Sequence, residues 1–197
     1  MFYMILLYDT GARNREPLDL RLQDIDLTPK RCRIQVTGKG GKHRLIPIME
    51  KTAEHCKKYL SLFHPQEHDK KQYLFYTIRQ GIKQQMSDDN VARFLKGYGL
   101  SAREKCVEIP EKVHPHLFRH TRAMHLYRGG MPLALVAEWL GHAQLETTLI
   151  YAHADTEMKR QAIQKATNPS NPVHSDYFST RDWKNDDDLI RELYGLK

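Results

Sequence analysis

The 197-residue sequence predicts a mainly helical α+β domain carrying a small three-stranded antiparallel sheet. Three observations predict it. Three short β-rich runs, "DIDL", "CRIQV" and "HRLIPI", fall within residues 24–48, and the last two flank the glycine-rich "TGKGGK". From residue 50 onward, apolar residues recur mostly at helical spacing. Glycines and prolines then sit where those helical stretches should start and stop.

Each element follows from local chemistry. Residues 1–9 read as a helix stopped by Gly11, whose missing Cβ suits the left-handed position after a helix end. "REPLDL" makes one short helical turn, with Pro17 tolerated only near its start. The strands around "TGKGGK" form a hairpin with Lys39 at its tip. Ala53, Cys56, Leu60 and Phe63 recur at i, i+3, i+7 and i+10, a single apolar stripe. "YLFYT" is a further extended piece. Ser87 is an N-cap, Val91, Phe94, Leu95 and Tyr98 are the buried face behind it, and Gly99 is the stop. Pro115 opens a helix that runs to Gly129-Gly130, and Pro132 opens another that ends at Gly141. "LETTLIYAH" is helical, and Asp155 caps a helix carrying Met158, Ala162, Ile163 and Ala166. "TNPSNPVHS" has linker composition, and "DDDLIRELYGLK" is a short amphipathic end piece.

Composition narrows the class. Forty per cent apolar residues sustain a core, while 28% charged residues argue against a membrane protein. "MFYMILLY" is too short to span a bilayer and has no basic flank, so it is expected to be the buried end of a helix begun earlier in a longer parent. Cys32, Cys56 and Cys106 are odd in number and widely spaced, which predicts a reducing, cytoplasmic setting with buried thiols. The formal charge of +7 is uneven: residues 166–197 carry −2 and the body +9. A basic body commonly meets phosphate. Charge alone barely separates DNA binding from plain solubility.

The stretch "HPHLFRHTRAMHLYRGG" is more specific. On a helix, His116 and Arg119 share a face at i and i+3, with His120 at i+4 from His116. Two histidines at that spacing suit zinc. However, no glutamate completes an H-E-x-x-H motif, no third ligand stands at a suggestive spacing, and Arg119 would repel a cation. An anion fits better, since guanidinium presents a planar fork of donors that matches two phosphate oxygens. Neither metal nor cofactor is expected. Arg13 follows the helix-ending Gly11, and Lys39 sits at a hairpin tip. Singly, each such residue is more often a surface side chain than a catalyst.

Together, "TGARNRE", "TGKGGKHRLIPI", "PHLFRHTRAMHLY" and "LGHAQLETTLIYAH" span residues 10–153 in a known order and spacing. The chain resembles the catalytic domain of the tyrosine recombinases, the phage integrase family. That resemblance implies that Arg13 and Arg119 clamp a scissile phosphate, and that Lys39 protonates the leaving 5′ oxygen. It further implies that His116 handles a proton, His142 hydrogen-bonds the phosphate, and Tyr151 is the nucleophile, with His120 and His153 structural. The implied function is site-specific recombination of double-stranded DNA, as in an integrase of a mobile element, through a covalent 3′-phosphotyrosyl intermediate.

The chemistry is coherent without a metal. Preorganised donors meet the charge that develops on the phosphate oxygens. A phenol of pKa about 10 becomes a nucleophile when cations favour phenolate or a base takes its proton. After Arg13 the family usually has an apolar residue and then Ser-Glu-Leu; here the run is Asn14, Arg15, Glu16, Pro17, which bears on how Arg13 is braced. The resemblance divides the chain into a catalytic domain over 1–166 with its first helix truncated, and a linker with a tail helix over 167–197. Members of the family normally carry a separate helical core-binding domain ahead of the catalytic one, and the sequence as given is expected to lack it. In the family the tail often docks on a neighbouring protomer, and Leu189, Ile190, Leu193 and Leu196 form an apolar edge for that, so a homo-oligomer on DNA is expected. Two rival readings are a DNA-binding module without catalysis and a type IB topoisomerase-like nickase.

Overall fold

The computed structural model describes residues 1–66, 69–142, 146–153 and 160, excepting the side chains of Lys39, Glu146, Tyr151, Ala152 and His153. The chain divides into a unit of residues 1–153 and one of 154–197. The expected helix capped by Asp155, the linker and the tail helix lie outside the described residues.

Helix α1 (Phe2–Thr10) buries Phe2, Tyr3, Leu6 and Leu7, as an apolar run too short for a membrane should. Among the described residues, no helix is long and apolar enough to cross a membrane. Gly11 ends α1 at φ 61°, ψ 21°, its N–H bonded to the carbonyls of Leu7 and Tyr8. A Cβ at Gly11 would also fall 2.9 Å from Leu140 Cδ2, so the position needs glycine for both backbone and space. The short helix α2 (Arg15–Asp19) follows and tolerates Pro17 because it scarcely extends beyond its first turn.

Strands β1 (Ile25–Asp26), β2 (Arg33–Thr37) and β3 (His43–Pro47) form the expected antiparallel sheet in the order β1-β2-β3. Ile34 pairs with Ile46, and Val36 with Arg44. Partners directly opposite share a face, so the Arg44 side chain lies on the face that buries Ile34, Val36 and Ile46. The hairpin tip carrying Lys39 is a 3-10 turn, Lys39–Gly41, with φ near 77° at Gly40.

Helix α3 (Glu50–Phe63) carries the expected stripe, but only Ala53 and Cys56 are fully buried. Phe63 is half exposed and stacks on Tyr59. The "YLFYT" stretch divides: Leu74 and Phe75 go into the core, and β4 (Tyr76–Arg79) begins after them. Strand β5 (Ile82–Gln85) pairs with it in a hairpin the sequence did not announce. Its two-residue loop has positive φ at Gln80 and Gly81, but Gln-Gly is a weak form of the Asn-Gly turn signal. With Ile78 and Ile82 both exposed, the alternation of a buried face was missing too.

Helix α4 (Asp88–Arg103) starts where Ser87 predicts, the Ser87 Oγ accepting the Asn90 N–H. It runs through Gly99 instead of stopping there. A Cβ at Gly99 would lie 2.9 Å from Val113, so this glycine makes room for a neighbour and does not end the helix. Tyr98, expected on the buried face, is about half exposed. Helices α5 (Pro115–Arg128) and α6 (Leu133–Leu140) match their expected starts and stops, and α7 (Glu146–His153) is helical as expected over its described residues. The thiols do not all match: Cys56 is buried, Cys32 intermediate and Cys106 exposed.

The main core gathers α1, the inner sheet face, Leu74, Phe75 and the inner face of α4. A smaller core joins Ala123 of α5 to Val136 and Leu140 of α6. Trp139 packs against both, and its indole N–H donates to the Thr10 carbonyl at 2.9 Å. That contact sets the end of α6 beside the end of α1.

Candidate active site

The carboxyl ends of α1 and α6 leave carbonyls with no partner inside the helix, and both ends carry partial negative charge. Arg119 meets both. Its Nη1 donates to the Gly11 carbonyl and its Nη2 to the Leu140 carbonyl, each at 2.8 Å, and the residue is only 4% exposed. Pro115 starts α5 so that Arg119 arrives on its second turn, facing inward.

Two further arginines use the same end of α6. Arg44 Nε donates to the Trp139 carbonyl at 3.2 Å, and Arg13 Nη2 to the Gly141 carbonyl at 3.2 Å. Three consecutive carbonyls, at 139, 140 and 141, therefore each accept from a different guanidinium. Gly141 makes this possible by turning left-handed at φ 67°, which ends α6 and aims the chain toward His142. Two of the three cations, Arg44 and Arg13, share one carboxylate. Buried Glu16 accepts from Arg44 Nη1 and Nη2 at 2.8 and 2.7 Å, from Arg13 Nη1 at 3.2 Å, and from the Arg13 backbone N–H at 2.8 Å. Burial alone would raise the Glu16 pKa, but hydrogen bonds and charge from Arg44, and then Arg13, hold it below the ordinary value.

This network shows how Arg13 is braced despite the unusual run after it. Glu16 does the bracing. Asn14 and Arg15 are tied to Asp88 at the start of α4, and the Tyr3 hydroxyl donates to the Asn14 carbonyl at 3.0 Å.

His142 follows Gly141 and is half-buried, its Nδ1 2.7 Å from the Thr148 hydroxyl on α7. Burial, then the charges of Arg119, Arg13, Arg44 and His120, hold its pKa down at about 4. It is therefore a neutral imidazole near pH 7. The unfolded chain takes up a proton near pH 6.5 that the folded chain refuses until about 4, so this residue's contribution to stability falls as the pH drops through that window. An NMR titration is expected to find that value near 4, and added inorganic phosphate to raise it, because an anion beside the ring favours imidazolium. A value that phosphate leaves unmoved would count against anion binding there.

A recess of about 400 Å³ opens beside His142, lined by Arg13, Gly38, Lys42, His43, Arg44, Glu138, Gly141 and His142. Arg13 and Lys42 outweigh the one acid on its wall, Glu138, while Arg44 is paired with Glu16, so the recess suits an anion.

The structure thus brings Arg13, Arg119 and His142 together. Lys39 and Tyr151 are placed by backbone alone. Lys39 opens the hairpin turn next to Gly38, where a Cβ would lie 3.4 Å from Arg44 Nη1. Tyr151 is one helical turn past Thr148 on α7, which packs against α5 and α6. His116 is exposed on the first turn of α5, its ring 6.4 Å from that of His114. His120, read as structural, is near enough for its charge to act on His142. Among the described residues, no third His, Cys, Asp or Glu completes a metal-holding group with His116 and His120.

Arg44, Glu16 and Thr148 were not picked out as site residues. Arg44 had left a signal, because alternation along "HRLIPI" puts it on the face of Ile46 and Ile48, where an arginine needs a partner.

Known proteins are similar to this chain in sequence and fold. The model of the phage integrase family matches residues 1–158. The tyrosine recombinase XerC of Thermodesulfovibrio yellowstonii is 40% identical over 163 residues, which are 82% of this chain and 52% of that protein. The crystal structure of XerA recombinase superposes with a TM-score of 0.66 at 30% identity, covering 83% of this chain and 55% of that one. XerH site-specific recombinase, in a post-cleavage complex with a palindromic difH substrate, gives 0.64 at 28% identity, over 83% of this chain and 44% of that one. The chain spans about half the length of the curated relatives it matches. Sequence and fold together place it: the chain belongs to the phage integrase family.

Proposed function

We propose that this chain is the catalytic domain of a site-specific DNA recombinase of the integrase type, acting on double-stranded DNA. The observation that carries the reading is the set of three guanidiniums on consecutive carbonyls at the end of α6, with neutral His142 next in the chain. Each guanidinium has five N–H donors. Arg13, 37% exposed, spends only some of its donors on the named protein partners, and the rest serve a phosphodiester's non-bridging oxygens, while Arg119 adds its fixed positive charge from 4% exposure. His142 has Nδ1 on Thr148, which leaves Nε2 for another phosphate oxygen.

In the proposed step the Tyr151 oxygen attacks phosphorus as the bond from phosphorus to the 5′ oxygen breaks. The phenol proton passes to His116, and Lys39 gives a proton to the leaving 5′ oxygen. The product is a 3′-phosphotyrosyl ester with a free 5′ hydroxyl. Because one ester replaces another, a second 5′ hydroxyl reverses the step and rejoins strands without a nucleotide cofactor. The donors act by being fixed before charge develops, which is what burial of Arg119 and Glu16 provides.

The test is a nicked duplex that loses its 5′ hydroxyl fragment after cleavage, so that the covalent intermediate accumulates. The chain is expected to form a band of higher mass on a denaturing gel, and Tyr151→Phe to form none. DNA binding without an adduct would overturn catalysis and favour the DNA-binding module. Relaxation of supercoils without exchange between duplexes would favour the nickase.

The proposal includes a cytoplasmic setting and a homo-oligomer assembled on DNA. Residues 167–197 serve as linker and tail, the edge of Leu189, Ile190, Leu193 and Leu196 docking on a neighbouring protomer. Deleting residues 180–197 is expected to weaken self-association on DNA; unchanged association would remove the tail from the assembly.

A further inference from the structure

Arg44 touches a neighbour of three different proposed site residues, and we infer that it is a positioning residue that keeps Arg13, Lys39 and His142 in register. The inference rests on the recombinase reading of the site. Toward Arg13 the link is Glu16, which takes both Arg44 Nη atoms at 2.8 and 2.7 Å and holds the Arg13 backbone N–H at 2.8 Å. Toward His142 the link is the end of α6. Arg44 Nε donates to the Trp139 carbonyl, and a Cβ on Gly141 would fall 2.8 Å from Arg44 Nη1 and 3.0 Å from its Cζ. Toward Lys39 the link is Gly38, where a Cβ would lie 3.4 Å from the same Nη1 and 3.5 Å from Glu16 Oε1. Gly38 and Gly141 thus both come up against one guanidinium.

The chemistry explains why this position takes an arginine. A planar group fits close against two glycine backbones, and its fork reaches both Glu16 oxygens while Nε still serves a carbonyl. A lysine ammonium is a point donor without that geometry. Arg44 Nε, Nη1 and Nη2 all donate to protein atoms, and the side chain is 16% exposed. Its charge faces the Glu16 carboxylate, so its influence on a phosphate runs through Arg13, Lys39 and His142. The residues it ties together are far apart in sequence, so no local turn could set their spacing.

The experiment compares the whole chain with Arg44→Lys and with the double variant Glu16→Gln/Arg44→Met, which removes the buried charge pair together and so avoids stranding one partner. Without DNA, the backbone amide resonances of Gly38, Gly141 and His142 are expected to shift or broaden in both variants, while those of core Leu7 and Leu95 stay. With the nicked duplex at saturation, the rate of adduct formation is expected to fall about a hundredfold, the order of loss that a misplacement of about 1 Å produces. The dissociation constant for duplex should change by less than about threefold, since only the fixed geometry is lost. Unmoved Gly38 and His142 resonances in a folded Arg44→Lys chain would overturn the inference, as would an undiminished rate at saturation. Should the unsubstituted chain form no adduct, the recombinase reading fails, and the resonances alone decide whether Arg44 sets the register.

Discussion

Arg119→Met is expected to lower the melting temperature by about 6–12 °C and to eliminate adduct formation on a nicked duplex. The thermal figure follows from what the guanidinium does in the fold. It gives one hydrogen bond to each of two helix ends, at Gly11 and Leu140, inside a site where it is 4% exposed. Methionine fills much of the volume but leaves both carbonyls without these donors, at a cost of about 3 kcal/mol. For a chain of this length each kcal/mol moves the midpoint by about 2–4 °C. The loss of adduct follows from the same bonds, because they hold the ends of α1 and α6 together and so set Arg13 against His142. Arg119→Lys should recover little of either, since one ammonium cannot stand 2.8 Å from both carbonyls where two separate nitrogens now do. Circular dichroism melts and the gel assay check both halves. A midpoint within about 2 °C of the unsubstituted chain would show that the two helix ends do not depend on this residue.

Glu16→Gln is expected to cost about 2–3 kcal/mol near pH 7 and to make stability less dependent on acid. Breaking a buried pair by removing one partner costs about 3–5 kcal/mol. The lower figure applies because Arg13 is 37% exposed and water partly compensates it, although Arg44 is only 16% exposed. The sign of the pH effect follows from the Glu16 carboxyl. Its folded pKa lies below the ordinary value, because Arg44 and Arg13 outweigh the larger single influence of burial. The stability it contributes is therefore fully present above the unfolded carboxylate value and lost as the pH falls through the lowered folded one. The two proteins should differ most at neutral pH and converge in acid. Parallel melting curves from pH 7 downward would mean that the carboxylate's charge does not stabilise the site.

These expectations rest on residues that the sequence disclosed unevenly. Gly11 and Gly141 marked helix ends because a left-handed residue needs no more than its own backbone to be recognised. Gly99 misled for the same reason: glycine also serves where a neighbour comes close, and Val113 could not be seen from the local pattern. The hairpin of β4 and β5 was missed because neither strand has a buried face to alternate with. Arg13, Arg119 and His142 were legible from motif order, whereas Arg44 had only its place on the inward face of a strand to mark it.

By itself, the sequence determined most helix ends, though not that of α4, the three-stranded sheet with its lysine-bearing turn, and the order of the basic and histidine motifs, since these depend on contacts between stretches close along the chain. Only tertiary structure decided that three guanidiniums meet at carbonyls 139, 140 and 141, two of them sharing the Glu16 carboxylate. Arg13 and Gly141 are 128 residues apart, and they meet because Trp139 and Leu140 pack the end of α6 against the end of α1. Periodicity and propensity describe which face of an element is buried. They do not say which other element will cover it.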